Sequence, residues 1–475
     1  MIYRIHVAGL YALAVVGCAA SMKTIVVSPA TINVNGRSAA SYSVTQADGT
    51  WGYIGTKGEK FRARVVNNTD MPISMHWHGL IVPNDQDGVP GITQESAIAP
   101  GGSQSFEFPI VQSGTYWMHP HYGWGVQRQL SAPLILRDSN DPYDNAQSVV
   151  MFLSDFSFTA PQTINANLIS GSMNGDMKAG MNAGMSGGMK GGAMAGPDLN
   201  DVKYDAILTN GNTLAKPSIA TVQPGKPVRL RIIDGSAATN YIINLGNLVG
   251  NAIATDGQSI KPVGDSKFSI TDGQRLDVIV DIPDTPGASY PILAQVEGTT
   301  LQSGLVLATP GAQPLTLSDR ANTPAGTVDP LQDLRFTATL PFPQKAITHR
   351  LAASLDGKMQ GYKWFINDQS WPKVTPLEVH KGERIEVTLV NKTSMGHPMH
   401  LHGHEFQVTS VNGQTISNGP QRDTVYVPAN GTVTFVFDAD NSGVWMFHCH
   451  ILYHSENGMM TVVKYDTVPT PAMLQ

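Results

Sequence analysis

Apolar and polar positions alternate in short runs along most of the chain. The runs at 61–66 (Phe-Arg-Ala-Arg-Val-Val) and 105–108 (Ser-Phe-Glu-Phe) are followed by others at 228–233, 276–281, 384–390 and 432–437. Side chains two apart on an extended chain share a face, so each run predicts a strand with one buried side. Gly, Pro, Asn or Asp bounds each run, as in antiparallel sandwiches. No long run with helical spacing competes. The expected fold class is all-β. A length of 475 residues suits three units of about 150 each.

A loose repeat gives the same count. Gly58-Glu-Lys-Phe-Arg-Ala-Arg-Val-Val-Asn-Asn68 matches Gly382-Glu-Arg-Ile-Glu-Val-Thr-Leu-Val-Asn-Lys392. A weaker copy is Gly225-Lys-Pro-Val-Arg-Leu-Arg-Ile-Ile-Asp234. Histidines follow the first and last copies within a dozen residues, and none lies between His121 and His349. Three related sandwiches are expected, at 21–145, 146–320 and 321–475. The middle one is expected to act only as a spacer between two ligand-bearing partners.

Two segments stand apart. Residues 1–20 begin with Arg4, continue through an apolar run and end in small residues, the pattern of an export signal. Val15-Val16-Gly17-Cys18 also resembles a bacterial lipobox, so a lipid tether on Cys18 is one expectation and plain cleavage near Ala20 the other. No Arg-Arg pair supports the twin-arginine route. An exported chain would work in the periplasm or cell envelope. Residues 171–196 carry Met173, Met177, Met181, Met185, Met189 and Met194 among nine glycines. Each glycine disfavours a helix by about 1 kcal/mol against alanine, so this stretch is expected to be a loop.

Charge excludes one class of partner. Charged residues are 14% and the net charge is −6, which gives nucleic acid no electrostatic footing. The chain is read as a monomer or small homo-oligomer.

The candidate chemistry lies in ten of the fourteen histidines and in Cys449. They form four clusters: His76-Trp77-His78, His119-Pro120-His121, His397-Pro-Met-His400-Leu-His402, and His448-Cys449-His450 with His454 and Met459 behind it. Imidazole nitrogen, thiolate and thioether suit copper. On a strand, His448 and His450 face one side and Cys449 the other. One side then sees a nitrogen pocket and the other a thiolate site. A disulfide between Cys18 and Cys449 would destroy that site, so none is expected. His6, His349, His380 and His404 show no ligand spacing.

These four motifs, in this order, resemble the signatures of the multicopper oxidases, which include laccases and cuprous oxidases. The resemblance spans roughly the whole mature chain. It implies three cupredoxin-like Greek-key β-sandwich domains and four copper ions. The type 1 copper would take His397, Cys449, His454 and axial Met459. The type 2 copper would take His76 and His400. The two type 3 coppers would take His78, His119 and His450, and His121, His402 and His448. The implied reaction passes single electrons from Cu(I) or a phenol to dioxygen. Asp87, in an Asp-Gly pair, resembles the family's proton-relay acid, with a plain turn as the alternative. Some relatives have a second acid directly after the last type 1 histidine; here that residue is Ser455, with Glu456 one place on. The methionine-rich stretch and Met395 resemble features of copper-tolerance oxidases, although Thr393 stands where those have an acid. A general phenol-oxidising laccase is the alternative. A copper nitrite reductase, a copper carrier and a copper-free relative fit less well, since all eight pocket histidines are present.

Overall fold

A computed structural model describes residues 21–171 and 199–475. The export segment, Cys18 and nearly all of the methionine-rich stretch lie outside the described residues.

Each run of alternating residues forms a strand: Lys60–Asn67, Ser103–Pro109, Pro227–Asp234, Arg275–Asp281, Arg384–Asn391 and Thr432–Asp438. Among the described residues, six sheets stack in pairs as three sandwiches. The first spans Lys23 to Arg137, the second Gln147 to Ala308 and the third His349 to Tyr465. This is the all-β architecture the pattern predicts.

The sequence repeat has a structural meaning. The strands Lys60–Asn67, Pro227–Asp234 and Arg384–Asn391 occupy the same place in the three sandwiches. Each runs parallel to an earlier strand and antiparallel to a later one. The glycine before each, Gly58, Gly225 or Gly382, has φ of +89°, +67° or +91°, a conformation that glycine adopts without strain.

Alternation fails to match burial in the middle copy. Arg229 and Arg231 are both buried there. Their charges are met by Asp277, at 2.7 Å from Arg229 and 3.1 Å from Arg231. Arg231 also donates to the Thr115 hydroxyl at 2.8 Å. The outer face of this strand is therefore covered by the first sandwich rather than by water.

Apolar packing divides the molecule unevenly. One buried cluster runs continuously through the first and third sandwiches, from Ile25 and Trp77 to Phe447 and Tyr465. The middle sandwich has a separate core around Leu230, Tyr241 and Val278. The sequence pattern missed a helix at Pro161–Ser170. Pro161 opens it, a position where a missing N–H is harmless, and Gly171 closes it at φ +66°. Among the described residues, no helix is long and apolar enough to cross a membrane.

Candidate metal centre

Strand register brings the histidine motifs together. In the first sandwich His76 pairs with His119 across antiparallel strands. In the third, His400 pairs with His448 and Met399 with Cys449. The strands His76–His78, Gly114–His119, His397–Leu401 and Val444–Cys449 are buried along their whole length. The first and third sandwiches meet at these strands, so the imidazoles of both face one enclosed space.

The thiolate side is compact. Cys449 Sγ lies 3.7 Å from Nδ1 of His397 and 3.7 Å from Nδ1 of His454. The two Nδ1 atoms are 3.2 Å apart. Met459 is fully buried, and its carbonyl accepts the Cys449 N–H at 3.0 Å. The far nitrogen of each ring is fixed. His397 Nε2 lies 2.7 Å from the Thr393 hydroxyl, and His454 Nε2 lies 2.9 Å from Asp201 Oδ2. The Tyr362 hydroxyl donates to the same carboxylate oxygen at 2.5 Å. Trp364 stacks on His454 with ring centres 3.8 Å apart.

The opposite side is a pocket of eight imidazoles. His402 Nε2 lies 3.1 Å from His448 Nε2, and His121 joins them with ligand atoms within 4.8 Å. His78 Nδ1 lies 3.3 Å from His119 Nε2. The His450 ring centre is 5.0 Å from that of His78 and 5.2 Å from that of His119. His76 and His400 stand between the two groups.

The outward nitrogens of these rings are occupied. Nδ1 of His76, His119, His400 and His448 meets the carbonyl of Asp87, Pro120, Asp423 and Cys449, respectively. His78 is reversed: its Nε2 is held by Asp423 Oδ1 at 3.1 Å, so Nδ1 faces the pocket. Among the described residues, the Nε2 atoms of His76, His121, His400 and His450 are buried and have no partner. Four stranded lone pairs in one dry space are costly unless something fills it. A cluster of transition-metal cations such as copper fits this donor set. His404 differs, because both its nitrogens are used, by the His402 carbonyl and the Tyr465 hydroxyl.

Electrostatics favour the ligating form. Burial, with the neighbouring imidazoles, pushes His78, His119, His121, His402 and His450 well below ordinary histidine values. For His448 the value falls to about 3. Neutral imidazoles keep a free lone pair for a metal. In the metal-free chain burial pushes the Cys449 thiol up, so loading a cation there must expel its proton.

Asp87 is fully buried and bridges the two sandwiches. Its carboxylate is 3.2 Å from His76 Nδ1 and 2.9 Å from His402 Nδ1. The following Gly88 has φ +82°, and a side chain there would collide with the Met75 backbone. Glu456, exposed to solvent, lines a cavity of about 300 Å³ together with His119, His121, His448 and His450. Ser455 lines it too.

Several functional contacts escape sequence reasoning. Asp423 holds His78 and pairs with Arg275 from the middle sandwich, through Nη1 at 2.7 Å and through Nη2. Burial alone would raise this carboxyl, but Arg275 reverses the effect and holds it well below the usual range. Asp201 and Asp272, on His454 and His450, also belong to the middle segment. The middle sandwich is thus more than a spacer. None of these residues carries a motif, because each partner is distant in sequence and the contact is made only on folding.

Comparison with known proteins agrees with the donor set. Family models described as multicopper oxidase match residues 31–141, 148–312 and 346–468. The multicopper oxidase MmcO of Mycobacterium tuberculosis is 32% identical over 416 residues, covering 86% of this chain and 80% of that protein. The chain belongs to the multicopper oxidase family. A multicopper oxidase is an oxidoreductase that uses copper and takes oxygen as acceptor. A copper resistance protein A homolog of Pseudomonas syringae pv. tomato is 26% identical, with 86% of each chain covered. Among solved structures, the multicopper oxidase Fet3p superposes with a TM-score of 0.77 at 20% identity, covering 95% of this chain and 92% of that one. Laccase from Botrytis aclada gives 0.74 at 23%, covering 95% and 88%. These likenesses carry the fold.

Proposed function

We propose that this multicopper oxidase holds four coppers and oxidises Cu(I), with phenols as secondary reductants, in a copper-tolerance role. His397, Cys449, His454 and Met459 would hold the type 1 ion. His76 and His400 would hold the type 2 ion. His78, His119 and His450 would hold one type 3 ion, and His121, His402 and His448 the other. Copper in these sets supplies one-electron redox chemistry, a reductant giving electrons at the thiolate side and dioxygen taking four in the histidine pocket. The observation that carries the reading is the convergence of Cys449 Sγ and two Nδ1 atoms beside four partnerless Nε2 atoms.

The chain's own groups divide the remaining work. Cys449 is covalently next to His448 and His450, which makes a path of a few bonds between the two sides. Asp87 orients His76 and His402 and is the proposed proton relay. Asp201 holds His454 by its outer nitrogen, where a reductant would approach.

Cu(I) is the favoured reductant because thioethers prefer it and the residues on either side of the methionine-rich stretch border this entrance. Asn165, in the helix before that stretch, contacts Asn457 at 2.6 Å, and Asp201 follows it. The relatives named for copper resistance support the same role. Export under the leader at 1–20, with lipid on Cys18, would place the enzyme in the envelope, where it would meet excess copper. Oxygen uptake separates the two reductants. Deleting 171–196 should cut Cu(I) oxidation far more than oxidation of a substituted phenol, and equal losses would refute copper recruitment.

A further inference from the structure

The turn between the strands Lys267–Ile270 and Arg275–Asp281 of the middle sandwich is built around the His450 ring. Asp272 Oδ1 lies 2.9 Å from His450 Nδ1, with the carboxylate fully buried and the imidazole 4% exposed. Gly273 lies flat beneath the ring. A Cβ there would sit 2.9 Å from two of its carbons, and φ is +85°. The His450 N–H is bound by the Pro398 carbonyl at 2.7 Å. Two residues on, Leu452 N donates to the Ala237 carbonyl at 2.7 Å. Ala237 is itself fastened by Asp155, which accepts the N–H groups of Ala237 and Ala238 at 3.0 Å each.

His450 is therefore held differently from its neighbours. The other pocket nitrogens described above meet groups of the first and third sandwiches. His450 alone among them is held by a carboxylate of the second. Its Nδ1–H donates to Asp272, which leaves Nε2 as the free lone pair, and that Nε2 is buried without a partner. A carboxylate on the far nitrogen of a ligating histidine fixes tautomer and ring angle and raises ligand basicity. Asp272 is placed in turn by its own backbone: its N–H reaches Asn240 Oδ1 at 3.3 Å, and Asn240 Nδ2 donates to buried Glu297 at 3.0 Å.

We propose that Asp272 is a positioning residue, by which the middle sandwich fixes the tautomer and ring plane of His450 and so completes the copper set His78–His119–His450. The copper part of this statement rests on the ligand reading above; the tautomer part does not. Asp272 matters twice over, because His450 is also joined through the backbone to Cys449.

The test uses full-length protein and three forms: wild type, Asp272→Ala and Asp272→Asn. Nitrogen-15 spectra of the metal-free protein should show His450 protonated on Nδ1 in wild type and in Asp272→Asn, which keeps an acceptor oxygen. Asp272→Ala should lose that preference while its thermal unfolding stays cooperative. After copper loading, Asp272→Ala should keep the thiolate colour and lose pocket copper, with affinity down by about 10–100-fold. The remaining copper of the broken pair should become visible by electron paramagnetic resonance, and Asp272→Asn should restore most of the loss. An unchanged His450 tautomer and full copper content in Asp272→Ala would overturn the proposal. If Asp272→Ala does not fold, Asp272→Asn decides alone: a wild-type tautomer and copper content support the proposal, and loss of either overturns it. If wild type bound a single copper, the ligand reading would fail, while the tautomer comparison would still judge the positioning role.

Discussion

The outer sandwiches and the middle one contribute opposite chemistry to the same centre. The first and third supply every imidazole and the thiolate, and they share one continuous apolar cluster. The middle one has its own core and no histidine, yet Asp272, Arg275 and the segment carrying Asp201 reach the edge of the site. Some of the groups that aim the donors have thus been placed on a different part of the chain, alongside Asp87 and Asp423 of the outer sandwiches.

Removing a donor should have the largest effect. Cys449→Ser should abolish the visible absorption of the thiolate site and reduce oxygen uptake to background, whereas Asp201→Ala should lower Cu(I) oxidation by about 10-fold and leave the colour in place. Equal damage from the two would erase the distinction between donor and aiming group. Absorbance and an oxygen electrode suffice to decide.

Acid should separate the two regions in the metal-free chain. His78, His119, His121, His402 and His450 bind protons below the ordinary 6.5, and His448 does so at about 3. The unfolded chain therefore binds more protons between those values, and stability is lost as pH falls from about 6.5 downward. The slope is at most about 1.4 kcal/mol per pH unit for each such histidine. Asp155 and Asp234 shift the other way. Burial raises both above 3.8, so their contribution is present at low pH and lost as pH rises. Between about pH 6.5 and about pH 5, amide exchange should quicken in the strands His76–His78 and His397–Leu401 before it does in Gln147–Phe156. The reverse order would overturn the sign assignment.

The smallest effect sharpens the picture within the third sandwich. Met459→Leu would remove the thioether proposed for the thiolate site, and the reduction potential should rise in a redox titration. A fall would overturn the assignment of Met459 to that site.

Much of this was legible in the sequence. The strands at 61–66 and 384–390 follow from period-two alternation, and the repeat at Gly58, Gly225 and Gly382 marks equivalent turns. The histidine motifs are short, so their spacing survives as a local signal. What was not legible depends on contacts between distant segments. Asp272 lies 178 residues from His450 and Asp423 lies 345 from His78. A lone carboxylate in a turn looks like any other turn residue, because its partner is chosen by the packing of whole sandwiches. The buried Arg229 and Arg231 were opaque for the same reason: the surface that covers them belongs to another domain.

The pairing of His400 with His448 and of His76 with His119 has a consequence for biogenesis. Half of the pocket is translated between residues 76 and 121 and the other half between 400 and 450. Bringing them together closes a loop of more than two hundred residues, the kind of contact that slows folding. Under the proposed ligand sets, a chain that stops before Cys449 could not form the thiolate site, so the colour expected of that site would report that synthesis had passed it.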